Sequence, residues 1–342
     1  MTRALLRRAT ALALILVGAM ALAACGDGGG AAGGGKDGAV TVGYISGAAL
    51  APAFVAEDLG CYREQGLDVT FEPINNPADA VAFLSSGKID AYVGSPSAGM
   101  FNQVARGADL KLVASLGSVN TPGDEPAPSG LFGGKGVTRV EDLRGKRVAS
   151  LGTVGTATSF LLGTSLAEGG LGLTDVEIVP LSLPDMTEAL RNGGVAAALL
   201  VAPYTQKVVE GGFATALVDA KAAYGKETTS AVMYGPALLE KNREAGVAYL
   251  KAVACAAERM AGDWREDQEI VTALAKFMKV PEETVSGGGL YAFDPTLTVN
   301  AGTLTAMQEM FRDYKETLNY DKILAPEKLV DEQIRLDAVG TR

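Results

Sequence analysis

Histidine is absent from all 342 residues, and that absence excludes much familiar chemistry. No Ser-His-Asp or Cys-His nucleophile system can be built, nor an HExxH zinc site. The usual proton carrier near neutral pH is missing with it. Tryptophan occurs once, at Trp264, and cysteine three times. Positive charge is in deficit, with 30 Lys and Arg against 40 Asp and Glu, so a nucleic-acid-binding surface is not expected. What is present is globular in character: 48% hydrophobic and 20% charged residues. The length supports a large core and about two domains.

The N-terminal segment reads as a leader. Arg3, Arg7 and Arg8 precede an apolar, small-residue run over 9–24, which ends at Leu22-Ala23-Ala24-Cys25. The run is short and alanine-rich for a membrane span and has the form of a secretory signal over 1–24. Its end resembles a bacterial lipobox, which implies lipidation of Cys25; an ordinary signal peptide with a chance cysteine is the alternative. Without the leader, 27 basic and 40 acidic residues remain. Residues 25–38 are rich in glycine and hold no apolar residue larger than alanine apart from Cys25 itself. They read as a tether.

Cys61 and Cys255 are the remaining cysteines. Export would place them where a disulfide persists. Two buried thiols packing as small hydrophobes would also account for them.

From Val40 onward, strand and helix signals alternate. AVTVGYI (39–45), Leu67–Phe71, Ile89–Val93 and Leu110–Ser115 read as strands. Helices are expected between them, one starting near Pro52 and one at Asn76-Pro77. The Pro/Gly-rich stretch Thr121–Gly136 reads as a crossing between lobes. A second series follows, with strands at Arg147–Leu151, Val176–Pro180, Ala196–Val201 and Ala216–Val218. Thr228–Tyr234 is strand-like and suited to return to the first lobe, and the chain is mainly helical after Pro236. The expected architecture is α/β: a first lobe over 39–130 and 235–342, a second over 131–234, a double-crossing hinge and a cleft between the lobes. Ligands in such sheets sit at the carboxyl ends of the strands.

Several segments carry a family resemblance: VGYISGAALAPAFVAEDLGCYREQGLDVTF (42–71), ADAVAFLSSGKIDAYVGSPSA (78–98), VEDLRGKRVA (140–149), GTATSFLLGTSLAEGGL (155–171) and EALRNGGVAAALLVAPYTQKVVEGG (188–212). In order and spacing, from about residue 40 to about residue 320, the chain resembles the NMT1/THI5-like and SsuA-like ABC-transporter substrate-binding proteins, which bind nitrate, sulfonates, taurine and thiamine precursors. The resemblance implies a type II periplasmic-binding-protein fold, a monomer without cofactor that closes on a small molecule and delivers it to a permease and its ATPase subunits. It also implies a place outside the cytoplasm, anchored by lipid to the outer face of the membrane, and no catalysis.

By the same resemblance the ligand meets the strand-end loops: Ser46 and Gly47, Asn75 and Asn76, Ser95, Pro96 and Ser97, Ser118 and Asn120. In the second lobe these are Thr153, Thr156, Ala157 and Thr158, then Pro184 and Asp185, then Pro203 and Tyr204. The residues speak for one loop independently. Gly152–Thr158 offers three hydroxyls and free N–H groups at a helix start, which suits an anion; ordinary N-capping explains the same residues. Ser95-Pro96 is open to the same two readings. Tyr204 suits either a lid or an edge of the core.

The sequence departs from some relatives in having Ala202 before Pro203 where they carry an acid. No arginine stands in any of these loops, so no charged clamp is visible. Hydroxyls, amides and helix ends suit a sulfonate-like anion, and equally a polar heterocycle stacked on tyrosine, of the thiamine-precursor pyrimidine or riboflavin kind. Two other function classes stand beside transport. THI5-like synthases share the fold but consume a histidine, which this chain lacks. A sensing or adhesion module would have the fold without a permease.

Overall fold

A computed structural model describes residues 38–74, 77–121, 123, 126–314 and 317–341. Asn75, Asn76 and Cys25 lie outside the described residues, as does the expected leader. The chain opens with β1 (Ala39–Tyr44), α1 (Ala51–Asp58), α2 (Cys61–Glu64), β2 (Asp68–Pro73), α3 (Pro77–Ser86), β3 (Ala91–Gly94), α4 (Ala98–Ala105), β4 (Lys111–Ser115) and β5 (Gly117–Ser118). It continues with β6 (Ser129–Gly133), β7 (Arg147–Ser150), α5 (Ala157–Ala167), β8 (Glu177–Pro180), α6 (Leu183–Asn192), β9 (Ala197–Val201), α7 (Tyr204–Glu210), β10 (Thr215–Ala216) and α8 (Ala220–Tyr224). The last part holds β11 (Ala231–Tyr234), α9 (Arg243–Arg259), α10 (Gln268–Met278), α11 (Glu282–Ser286), β12 (Ala292–Phe293), α12 (Ala301–Arg312) and α13 (Glu332–Val339).

Two five-stranded sheets result, in the orders β2-β1-β3-β11-β4 and β10-β6-β9-β7-β8. β1 runs parallel to β2 and β3, and β7 parallel to β8 and β9, as strand–helix–strand crossovers require. β11 enters the first sheet antiparallel to both neighbours, after the chain has built the second sheet. The chain therefore crosses between the lobes twice. β12 pairs with β5 as a small ribbon beside the crossings.

The stretch expected as a plain crossing contains a strand. All five residues of β6 are buried, and they pair antiparallel with all of β9. Its SGLFG sequence has little strand propensity; pairing and burial from both sides supply the stability instead. The helix expected to start near Pro52 is two helices up to Glu64, because Gly60 turns left-handed at φ 76° between them.

The core follows from apolar faces. Tyr44, Phe54, Phe71 and Phe277 form an aromatic group where β1 and β2 meet α1 and α10. α5 is buried on nearly every side, since it lies under the second sheet and against α12, where Gly163 leaves room for Met310. Cys61 and Cys255 are bonded, with Cα atoms 6.2 Å apart, and fasten α2 to α9. Closing a loop of 194 residues is worth about 5 kcal/mol in the chain-entropy model. Among the described residues no helix is long and apolar enough to cross a membrane.

Candidate functional site

Two of the parallel strands of the first sheet, β1 and β3, end at adjacent loops. Ile45 N donates to Val93 O at 3.2 Å and holds the loop after β1 beside the loop after β3. Ser46 is exposed, and nothing lies within 4 Å of where a Gly47 side chain would begin. In the second loop Pro96 is buried, and Ser97 caps α4 by accepting from Met100 N at 3.4 Å. Both loops present small polar groups with little side chain in front of the backbone.

The loop after β7 is built by its own hydroxyls. Thr156 Oγ1 accepts from Ser159 N at 3.2 Å, while Ser159 Oγ accepts from Gly155 N at 3.1 Å and Thr156 N at 3.0 Å. Thr158 Oγ1 donates to Leu151 O at 2.6 Å and lies 2.9 Å from Thr156 Oγ1. This reciprocal capping uses up part of the N–H array that the sequence offered to an anion. The N–H groups of Ala157 and Thr158 remain without a partner among the described residues.

The two loops meet. Ala98 N, at the start of α4, donates to Gly155 O at 2.9 Å. Gly155 takes φ +100°, and a Cβ there would lie 3.0 Å from Ala98 Cβ. The N-terminal ends of α4 and α5 thus converge from opposite lobes, with no acidic residue in the first turn of either. Residues 95–98 and 152–158 contain no ionizable side chain. Such a place has positive potential from backbone dipoles and no fixed charge, while the Thr156 and Thr158 hydroxyls already donate to Thr153 O and Leu151 O.

The other residues singled out from the sequence lie elsewhere. Ser118 Oγ donates to Gly225 O at 2.6 Å and accepts from Asn120 N at 3.0 Å, so it fastens one lobe crossing to the other. Ser118 and Asn120 line a groove of about 320 Å³ with Lys226, Glu227 and Asp294. Asp185 is exposed and accepts from Ser182 Oγ at 2.6 Å, within the cap of its own helix α6. Tyr204 is half-buried at the start of α7, beside a groove lined by Pro203, Gln206, Lys207 and Gly287. The residues that converge are those of the Ser95–Ser97 and Thr153–Thr158 loops. Ala98 and Gly155 were not separately singled out as contacts; the sequence signal for Gly155 is a glycine just before a helix cap, where only glycine tolerates a positive φ.

A family model described as NMT1/THI5 like matches residues 48–266. A 4-amino-5-hydroxymethyl-2-methylpyrimidine phosphate synthase of Schizosaccharomyces pombe is 32% identical over 146 residues, covering 42% of this chain and 39% of that protein. The match thus spans well under half of that relative's length. Among solved structures, the periplasmic aliphatic sulphonate binding protein SsuA from Escherichia coli superposes with a TM-score of 0.66 at 22% identity, over 86% of this chain and 92% of that one. The periplasmic nitrate-binding protein NrtA from Synechocystis PCC 6803 superposes with a TM-score of 0.65 at 16% identity, over 88% of each chain. The chain shares the α/β fold of these binding proteins, and with more than half its length matched by the family model it belongs to the NMT1/THI5-like family.

Proposed function

We propose that this chain is the extracytoplasmic solute-binding lipoprotein of an ABC importer, anchored through Cys25, and that it captures a small organic anion of the sulfonate class between its lobes. The observation that carries this reading is the convergence of the α4 and α5 N-termini, joined by the Ala98–Gly155 hydrogen bond. An anion placed there gains from two helix dipoles and from the Ser97 hydroxyl, which accepts from Met100 N and keeps its own proton to donate, and it desolvates no carboxylate. The absence of any arginine from both loops favours a weakly hydrated anion over a carboxylate that needs a bidentate clamp. Contacts from both lobes let ligand binding bias closure about the two crossings. The ligand is then handed to a permease driven by ATPase subunits.

A pyrimidine-phosphate synthase activity is the second reading, favoured by the name of the Schizosaccharomyces pombe relative. Against it stand the lack of histidine and the lack of any ionizable side chain in the two converging loops.

The test is thermal unfolding of the purified protein with ethanesulfonate, taurine, nitrate, aminopyrimidines, riboflavin and amino acids. A ligand at 100 times its Kd stabilises by about 2.7 kcal/mol. Stabilisation by sulfonates is the expected result. Stabilisation by pyrimidines or riboflavin alone would reject the anion and move the ligand toward Tyr204. Formation of an aminopyrimidine phosphate by the purified protein would favour the synthase.

A further inference from the structure

We infer that Tyr92 is a ligand-binding residue, donating a hydrogen bond from within the first lobe to an oxygen of the bound anion; this rests on the ligand site proposed above. Tyr92 is the second residue of β3 and only 3% exposed. In the sheet it stands opposite Gly43 of β1 and Met233 of β11. Gly94, two residues further along β3, lies on the same face. A Cβ at Gly94 would overlap the Tyr92 ring, with the hydroxyl and the ring carbon that bears it among the clashing atoms. The ring therefore lies along the strand, and its hydroxyl reaches the last residue of β3. The next residues are Ser95-Pro96-Ser97 and the start of α4.

That hydroxyl has no hydrogen-bond partner among the described residues. Two of the other buried tyrosines are bonded: Tyr62 donates to Ala53 O at 2.7 Å and Tyr234 to Gly246 O at 2.8 Å. The Tyr224 and Tyr249 hydroxyls are enclosed without an acceptor; those of Tyr92 and Tyr291 are not among the enclosed unpartnered oxygens, and of these two the Tyr92 hydroxyl is the one that reaches the end of β3. A buried phenol ordinarily finds a partner. Here the aim along β3 leaves the ligand position as the place where one arrives. Burial also drives the Tyr92 pKa well up, so the group stays protonated and available as a donor. It adds a side-chain donor to the backbone donors of α4 and α5, from beneath them. The ligand it fits is one that puts an acceptor oxygen at the end of β3, as a sulfonate does.

The experiment compares the purified protein with Tyr92→Phe and Tyr234→Phe by melting and by calorimetric titration with ethanesulfonate. Tyr92→Phe should melt with the parent when no ligand is present and bind ethanesulfonate about tenfold more weakly. Tyr234→Phe should show the reverse, a lower melting temperature with unchanged affinity. An unchanged Kd in Tyr92→Phe overturns the inference. So does a drop of several degrees in its ligand-free melting temperature, which would mean the hydroxyl serves the fold. If the parent ignores ethanesulfonate but binds an aminopyrimidine, the anion is rejected, and a loss of that binding in Tyr92→Phe keeps Tyr92 in the site. If the parent binds no compound of the panel, site and inference fall together.

Discussion

Ser150 is the last residue of β7, it is fully buried, and its Oγ is enclosed without a partner. An enclosed hydroxyl that bonds to nothing carries its desolvation cost uncompensated. Ser150→Ala is therefore expected to stabilise the protein by about 1 kcal/mol, which for a chain of this size is a rise of about 2 °C in melting temperature. A fall in melting temperature would mean that the hydroxyl has a partner in solution. The capping residues were legible in the sequence, because a cap depends only on the few residues that follow it: Ser97 and Thr156 precede helices and cap them. The idle hydroxyls of Ser150 and Tyr92 were not. Whether a side chain is enclosed depends on what the fold stacks over it, and for Tyr92 on the missing side chain at Gly94.

At the scale of elements, α9 and α13 are joined by charge. Asp331 caps α13 through Ile334 N at 3.0 Å and accepts from Arg243 Nη1 at 2.8 Å. Burial alone would raise the Asp331 pKa; the hydrogen bonds from Arg243 and Ile334 outweigh it and hold the carboxyl below its usual value. A pKa depressed in the folded state gives stability that is complete above the unfolded value, about 3.9, and is lost as pH falls through the folded value. Urea midpoints should thus be insensitive to this pair between pH 7 and 5 and decline below about pH 4. Asp331→Asn should shrink that acid decline and lower the midpoint at neutral pH. An undiminished decline in Asp331→Asn would assign it to other carboxylates. The α/β order of elements was readable because hydrophobic periodicity is local. β6 escaped because its strand character comes from β9, and the pairing β9 provides lies far along the chain.

At the scale of the molecule, the proposed closure turns on the two crossings. These are fastened to each other, since Ser118 Oγ donates to Gly225 O at 2.6 Å and Ser230 Oγ donates to Gly117 O at 2.8 Å. The segment around α12 adds a support: α12 packs against both α4 and α5, and Asn102 Nδ2 of α4 donates to Thr317 O at 3.1 Å. With hinge and support so tied, the proposed closure makes and breaks the contact between the Ser95–Ser97 and Gly152–Thr158 loops. Sequence order showed that two lobes exist, but which loop tips meet is set by the angle between lobes, and no local pattern encodes it. Gly155→Ala tests the meeting directly. It places an L side chain at φ +100° and sets its Cβ 3.0 Å from both Ala98 Cβ and Thr317 Cγ2, so the loop before α5 must give way to α4 and to the segment after α12. Gly152→Ala is the control: it has a comparable backbone penalty at φ +71°, but its Cβ would lie 3.7 Å from Thr156 Cγ2 and meet nothing of the first lobe. Each substitution should cost about 1 kcal/mol of stability from the left-handed backbone alone. Only Gly155→Ala should weaken ethanesulfonate binding more than tenfold, and only it should fail to contract in small-angle scattering at saturating ethanesulfonate. Equal affinity and equal contraction in the two variants would show that closure does not pass through Ala98 and Gly155. Loss of both in Gly152→Ala as well would assign the effect to loop strain instead of the contact between lobes.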